Sequence, residues 1–153
     1  MNRFISFSKT ESGYLGAIDM DAIGQVDNFD RLVAKAEKKY SYYVSKMTQL
    51  LIKIEEKKKS KVLLPASYVW ELGNLIFNLR DDLAKLSLEI DNLYFHICRD
   101  LNINRKRLEK MIILRRYVPN KQLLKGLNWG LFEKGTKKKV QEILLKRSAY
   151  GSR

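Results

Sequence analysis

Val33-Ala34-Lys35-Ala36-Glu37-Lys38-Lys39-Tyr40-Ser41-Tyr42-Tyr43-Val44-Ser45-Lys46-Met47 is the stretch whose reading decides the fold. Val33, Ala36, Tyr40, Tyr43 and Met47, continued by Leu50 and Ile54, recur at alternating spacings of 3 and 4 residues. That alternation keeps one stripe of an α-helix turned toward a partner, as in the seam of a coiled coil. The spacing predicts a helix over residues 30–59, ending in Glu55-Glu56-Lys57-Lys58-Lys59-Ser60. Asn28 or Asp30 would cap its start, because a short polar side chain accepts from the free first-turn amides.

A second series begins after Pro65, a residue suited to a first helical turn. Val69, Leu72, Ile76, Leu79, Leu83, Leu86, Ile90, Leu93 and Ile97 keep the same alternation. Two such helices joined near residues 60–65 predict a long antiparallel hairpin. Leu32, Val44, Leu51, Leu75, Leu88 and Phe95 flank the seams and call for further packing, from the rest of the chain or from a second copy. Gly73 and the neighbourhood of Ser87 are the expected places for a break. With eight Gly and two Pro in 153 residues, turns are too few for an all-β protein. The expected class is all-α.

Working outward, residues 1–28 show no sustained period and read as an irregular segment with room for one short element. Residues 29–99 read as the hairpin, used for dimerisation or docking, and residues 100–153 as a basic helical lobe. The charge divides at the same place. Of the 30 Lys/Arg, sixteen lie from Arg99 onward, beside only four of the 17 acids, so nearly all of the net +13 sits there. A neutral part joined to a strongly basic one implies a polyanionic partner.

Within the basic part, Ile97-Cys98-Arg99-Asp100-Leu101-Asn102-Ile103-Asn104-Arg105-Lys106-Arg107-Leu108-Glu109-Lys110-Met111 resembles a helix-turn-helix. Cys98 is small where two helices would cross. Asn102 tolerates left-handed backbone in the turn. Leu101 and Ile103 would pin the helices together, Asn104 would cap the second, and Leu108 with Met111 would face inward. The second helix should run from Arg105 to about Tyr117, before Pro119. Arg105, Lys106 and Arg107, with Lys110 a turn later, would then reach a major groove, where Arg and Lys donate to guanine or phosphate. Arg115, Arg116 and Lys121 extend this basic set.

In the last lobe, Trp129, Leu131 and Phe132 read as a small hydrophobic plug. Thr136 would cap a final helix over residues 137–147, with Val140, Ile143 and Leu144 inward. Lys137, Lys138 and Lys139 in its first turn oppose the helix dipole, a placement that favours a phosphate-facing role.

Three short elements occur in a suggestive order: Trp70-Glu71-Leu72-Gly73, then Asn104-Arg105-Lys106-Arg107-Leu108-Glu109-Lys110-Met111, then Leu127-Asn128-Trp129. Together they resemble the aromatic-x-x-Gly, Ser-Arg-x-x-Leu-x-x-Met and Leu-Ser-Trp elements of the N-terminal helical domain of a restriction-associated prokaryotic PD-(D/E)xK nuclease family. Asn stands where that family has Ser in two of them. The family's nuclease half would lie beyond Arg153, so the resemblance implies a binding or targeting role alone.

Catalytic constellations are not apparent. His96 and Cys98 are two residues apart on a helix and diverge, so they cannot share a metal or form a nucleophile–base pair. Gly-x-x-x-x-Gly-Lys-Ser/Thr is absent. Asp19-Met20-Asp21 and Asp81-Asp82 lack a third partner. A single cysteine excludes an internal disulfide framework. No stretch approaches the roughly 18 apolar residues of a membrane span. The sequence therefore predicts a non-enzymatic protein without cofactor or metal, cytoplasmic and nucleoid-associated, prokaryotic or viral. It would bind nucleic acid, duplex DNA before RNA, and form a homodimer or larger complex through the hairpin. An RNA-binding ribonucleoprotein subunit and a helical protein-interaction scaffold are the alternatives.

Overall fold

The computed structural model of the protein describes residues 3–10, 13–18, 29–86, 88–90 and 92–151. These residues are mainly helical, as the spacing predicts. Strands β1 (Arg3–Thr10) and β2 (Gly13–Ile18) come first, followed by helices α1 (Phe29–Lys59) and α2 (Ala66–Lys85). A short strand β3 (Leu88–Ile90) precedes α3 (Leu93–Leu101), α4 (Arg105–Tyr117) and, after two 3-10 turns at Lys121–Leu124 and Trp129–Leu131, α5 (Thr136–Gly151). Asn28, a candidate cap, and the Asp19–Asp21 acids lie outside the described residues.

The chain divides into two compact units, residues 1–48 with 75–105 and residues 49–74 with 106–153. In the first unit, β1 pairs antiparallel with β2, from Ile5 opposite Ile18 to Thr10 opposite Gly13, and parallel with β3, Arg3 opposite Leu88. The sheet order is β2-β1-β3. Residues 3–10 and 13–18 are thus paired strands rather than the irregular segment expected, and a local sheet is added to the helices. The second long helix is also shorter than its seam. It stops at Lys85, and the chain turns where the Leu86 amide bonds the Leu83 carbonyl at 2.9 Å. Leu86, Leu88 and Ile90 satisfy a two-residue period, Leu86 and Ile90 the helical one as well, and pairing with β1 selects the strand. Gly73, the other expected break, lies inside α2.

The seam itself is buried. Val33, Ala36, Tyr40, Tyr43 and Met47 of α1, with Ile76, Leu79 and Leu83 of α2, Leu88 and Ile90 of β3 and Ile97 of α3, form the first unit's apolar interior. Polar groups complete it. The Tyr40 hydroxyl donates to Asp100, and the Tyr43 hydroxyl donates to Asp82. Lys39 and Lys85 stand 3.6 and 3.9 Å from the Asp82 carboxylate. That hydrogen bond and the two ammonium groups outweigh desolvation and hold the Asp82 carboxyl below its usual range. Burial, helped by the neighbouring carboxylate, pushes the Tyr43 phenol up to about 12. His96 is buried beside the exposed Phe95 ring.

The second unit is centred on α4. Leu108, Met111, Ile112 and Leu114 are buried together with Leu51 and Ile54 of α1 and Val69, Trp70 and Leu72 of α2. Gly73 marks a close approach. A Cβ there would stand 2.6 Å from the Met111 carbonyl oxygen and 2.8 Å from the Arg115 Cβ, so only hydrogen fits. The Trp70 indole donates to the Val118 carbonyl at 2.8 Å. The loop at Leu64–Pro65 is tied to the last lobe by the Trp129 amide, which donates to the Leu64 carbonyl at 2.7 Å, and by the Ala66 amide, which donates to the Leu127 carbonyl at 2.9 Å. Trp129 and Phe132 stack with centroids 6.2 Å apart and form the expected plug, whereas Leu131 is exposed. Thr136 does not cap α5. Its buried hydroxyl donates to the Phe132 carbonyl at 2.6 Å, and α5 starts at Thr136 itself, after Gly135 at φ 62°.

Candidate nucleic-acid interface

Asn102, expected to be left-handed, has φ 55° and ψ 50°, and the Ile103 amide bonds back to the Cys98 carbonyl at 3.0 Å. Next, α4 begins at Arg105 and ends at Tyr117, two residues before Pro119, which fixes where its basic side chains emerge. Leu108, Met111, Ile112 and Leu114 turn inward, so Lys106, Lys110 and Arg116 fall on the opposite side.

The ten basic residues singled out by the sequence divide into those with internal duties and those that face solvent. Arg107 pairs with Glu55 of α1 at 3.1 Å, and Lys121 pairs with Glu71 of α2 at 2.6 Å. Arg115 donates to the Asn74 side chain at 2.8 Å while its guanidinium lies 5.0 Å from the centre of the Trp70 ring. These three brace α4 and the segment after it against α1 and α2. Lys139 sits 3.7 Å from Glu142 on its own helix. Arg105, at the end of the first unit, lies over the Tyr94 ring at 5.1 Å. Lys106, Arg116, Lys137 and Lys138 are exposed.

Lys110 of α4 meets Lys137 and Lys138 of α5 around an open concavity of about 460 Å³. Ile113, Gly135, Thr136 and Gln141 complete its lining, which includes no carboxylate. Lys137 also spans the Tyr117 ring at 5.4 Å, which positions its stem. Three ammonium groups on one wall repel one another, and the positive pole of α5 adds to that field. The arrangement can hold a polyanion.

Among the described residues, no group of three or more His, Cys, Asp or Glu side chains could hold a metal ion, and no helix is long and apolar enough to cross a membrane. The pairing of Arg107 and Lys121 had no sequence signal, since their partners lie 52 and 50 residues away. Lys57, Lys58 and Lys59 in the last turn of α1, read only as a helix end, and Lys61 just after it belong to the same basic unit.

Comparison with protein-family models, curated proteins and solved structures finds no match for the chain. The likeness to the PD-(D/E)xK-associated helical domain therefore rests on its three short motifs.

Proposed function

We propose that this chain is a non-catalytic nucleic-acid-binding protein that grips duplex DNA through the basic surface of its C-terminal lobe. The carrying observation is the concavity where Lys110, Lys137 and Lys138 converge with no acid among its lining residues. Charges arranged that way destabilise the free protein and are offset by a phosphate chain, which releases counterions as it binds. The left-handed Asn102 and the start of α4 at Arg105 support the helix-turn-helix reading, in which Lys106 and Lys110 approach the groove. Arg107, Arg115 and Lys121 are reassigned to bracing.

The α1–α2 arm serves in this reading as an antiparallel hairpin for dimerisation or docking, with the exposed Tyr42 available on α1. The likeness of three short motifs to those of the restriction-associated family supports a mobile-element or defence setting, with action at the nucleoid.

A gel shift with duplex DNA, single strands and RNA at two salt concentrations tests the proposal. Replacing Lys110, Lys137 and Lys138 with Ala should weaken duplex binding and reduce the slope of log affinity against log salt by roughly 3. Tighter binding to RNA than to duplex would favour the ribonucleoprotein alternative. No binding to any nucleic acid at low salt would favour the scaffold.

A further inference from the structure

The loop between α1 and α2 breaks two local rules at once. At the end of α1 the Lys61 amide donates to the Lys58 carbonyl and the Val62 amide to the Lys57 carbonyl, both at 3.2 Å. This is a Schellman ending, whose left-handed position is ordinarily glycine. Here it is Lys61, at φ 56°. The residue after that position usually folds back against the helix. Instead Val62 is 54% exposed and Leu63 72% exposed. The base of the loop is fixed, because Leu64 is buried and its carbonyl accepts from Trp129, while Pro65 bridges to Asn128. An aliphatic pair thus projects from an anchored apex, next to four lysines at positions 57, 58, 59 and 61.

We propose that Val62 and Leu63 are a wedge that enters between base pairs of duplex DNA, with Lys58, Lys59 and Lys61 on the flanking phosphates, so that the protein kinks the DNA it binds. The inference rests on the duplex-binding reading above and deepens it. Apolar side chains that part a base step are commonly aliphatic, and the energy of unstacking is offset by contacts that the bent duplex gains. Charge complementarity argues for a phosphate-bearing occupant. Single-stranded nucleic acid would be met by aromatic platforms, yet among the described residues of this unit the most exposed large apolar side chains, Ile52, Val62, Leu63, Leu131 and Leu145, are all aliphatic. A lipid surface is the weaker fit. Two such side chains carry about half the carbons of a myristoyl chain, which alone anchors only marginally. A lysine retained where glycine relieves strain is also explained, since its charge acts in the complex.

The test uses the full chain and a short duplex carrying a donor and an acceptor dye at its ends. Wild type should raise energy transfer as it binds. Val62→Ser combined with Leu63→Ser, at sites already exposed to water, should bind within about tenfold of wild type without the rise. Lys61→Gly should melt at a higher temperature yet lower the salt slope by about 1. Binding by wild type with no change in energy transfer overturns the wedge and leaves the duplex reading standing. An unaltered bend in the double-serine variant also overturns it, and attachment to phosphatidylserine vesicles that this variant loses would assign the apex to a membrane instead. Failure of wild type to bind any duplex overturns both the wedge and the function on which it rests.

Discussion

In the unit of residues 1–48 and 75–105, carboxylates are taken into the fold: Asp82 accepts from Tyr43 beside Lys39 and Lys85, and Asp100 accepts from Tyr40. In the unit of residues 49–74 and 106–153, acids brace only part of the basic set, and the rest faces outward around Lys110, Lys137 and Lys138. The same residue types thus do opposite work. Paired charge in the first unit completes an interior, while like charge in the second is left facing solvent, where under the proposed function a phosphate chain would relieve it. A net charge counted over the whole chain hides this division; function follows from which cations already have a carboxylate.

The comparison can be broken most severely at the second unit's plug. Phe132 is fully buried against Trp129, and Phe132→Ala should lower stability by about 3–5 kcal/mol in a denaturant titration, abolishing binding at physiological temperature. Gly73→Ala comes next. Alanine normally stabilises a helix interior by roughly 1 kcal/mol relative to glycine, but here the clash with the Met111 carbonyl should leave a net loss of about 1–3 kcal/mol, read as a fall in Tm.

In the first unit, Tyr43→Phe should cost about 1–2 kcal/mol by removing the hydroxyl that satisfies Asp82. The pH dependence sharpens this further. A carboxyl whose folded pKa is depressed contributes stability above its unfolded value of 3.8, and that contribution is lost as pH falls below it. The phenol shifts the other way: its contribution is whole below 10.0 and is lost as pH rises toward about 12. Melting of wild type should therefore decline at both extremes more steeply than melting of Tyr43→Phe, and parallel curves would remove the pair from the account.

The smallest effect is expected at Glu55→Gln. Its pair with Arg107 is partly exposed, so stability should change by less than about 1 kcal/mol. Duplex affinity should rise about two- to threefold as Arg107 is released to phosphate. An unchanged affinity would show that Arg107 serves the fold alone.

How far the sequence was readable depended on whether a residue's partners were near it. The seam from Val33 to Ile54 announces α1 because burial of one stripe repeats every turn, and Asn102 with Pro119 brackets α4 through backbone preferences that act locally. Leu86, Leu88 and Ile90 were ambiguous because two periods coincide there, and the deciding partner, β1, is some eighty residues earlier. At the candidate site, the basic richness of Lys106–Lys110 and Lys137–Lys139 was plain. The carboxylates that withdraw Arg107 and Lys121 were not, because ion pairs between distant segments leave no periodic trace. Burial of Thr136 and exposure of Leu131 follow from how the plug packs, which no local pattern encodes.

Both tryptophans belong to the second unit, Trp70 held between the Val118 carbonyl and the Arg115 guanidinium and Trp129 stacked on Phe132. Tyr40, Tyr42, Tyr43 and Tyr94 belong to the first. Indole emission is consequently an intrinsic optical signal for the basic unit alone, sensitive to any ligand that disturbs the bracing of α4. The molecule carries its own label where the proposed partner docks.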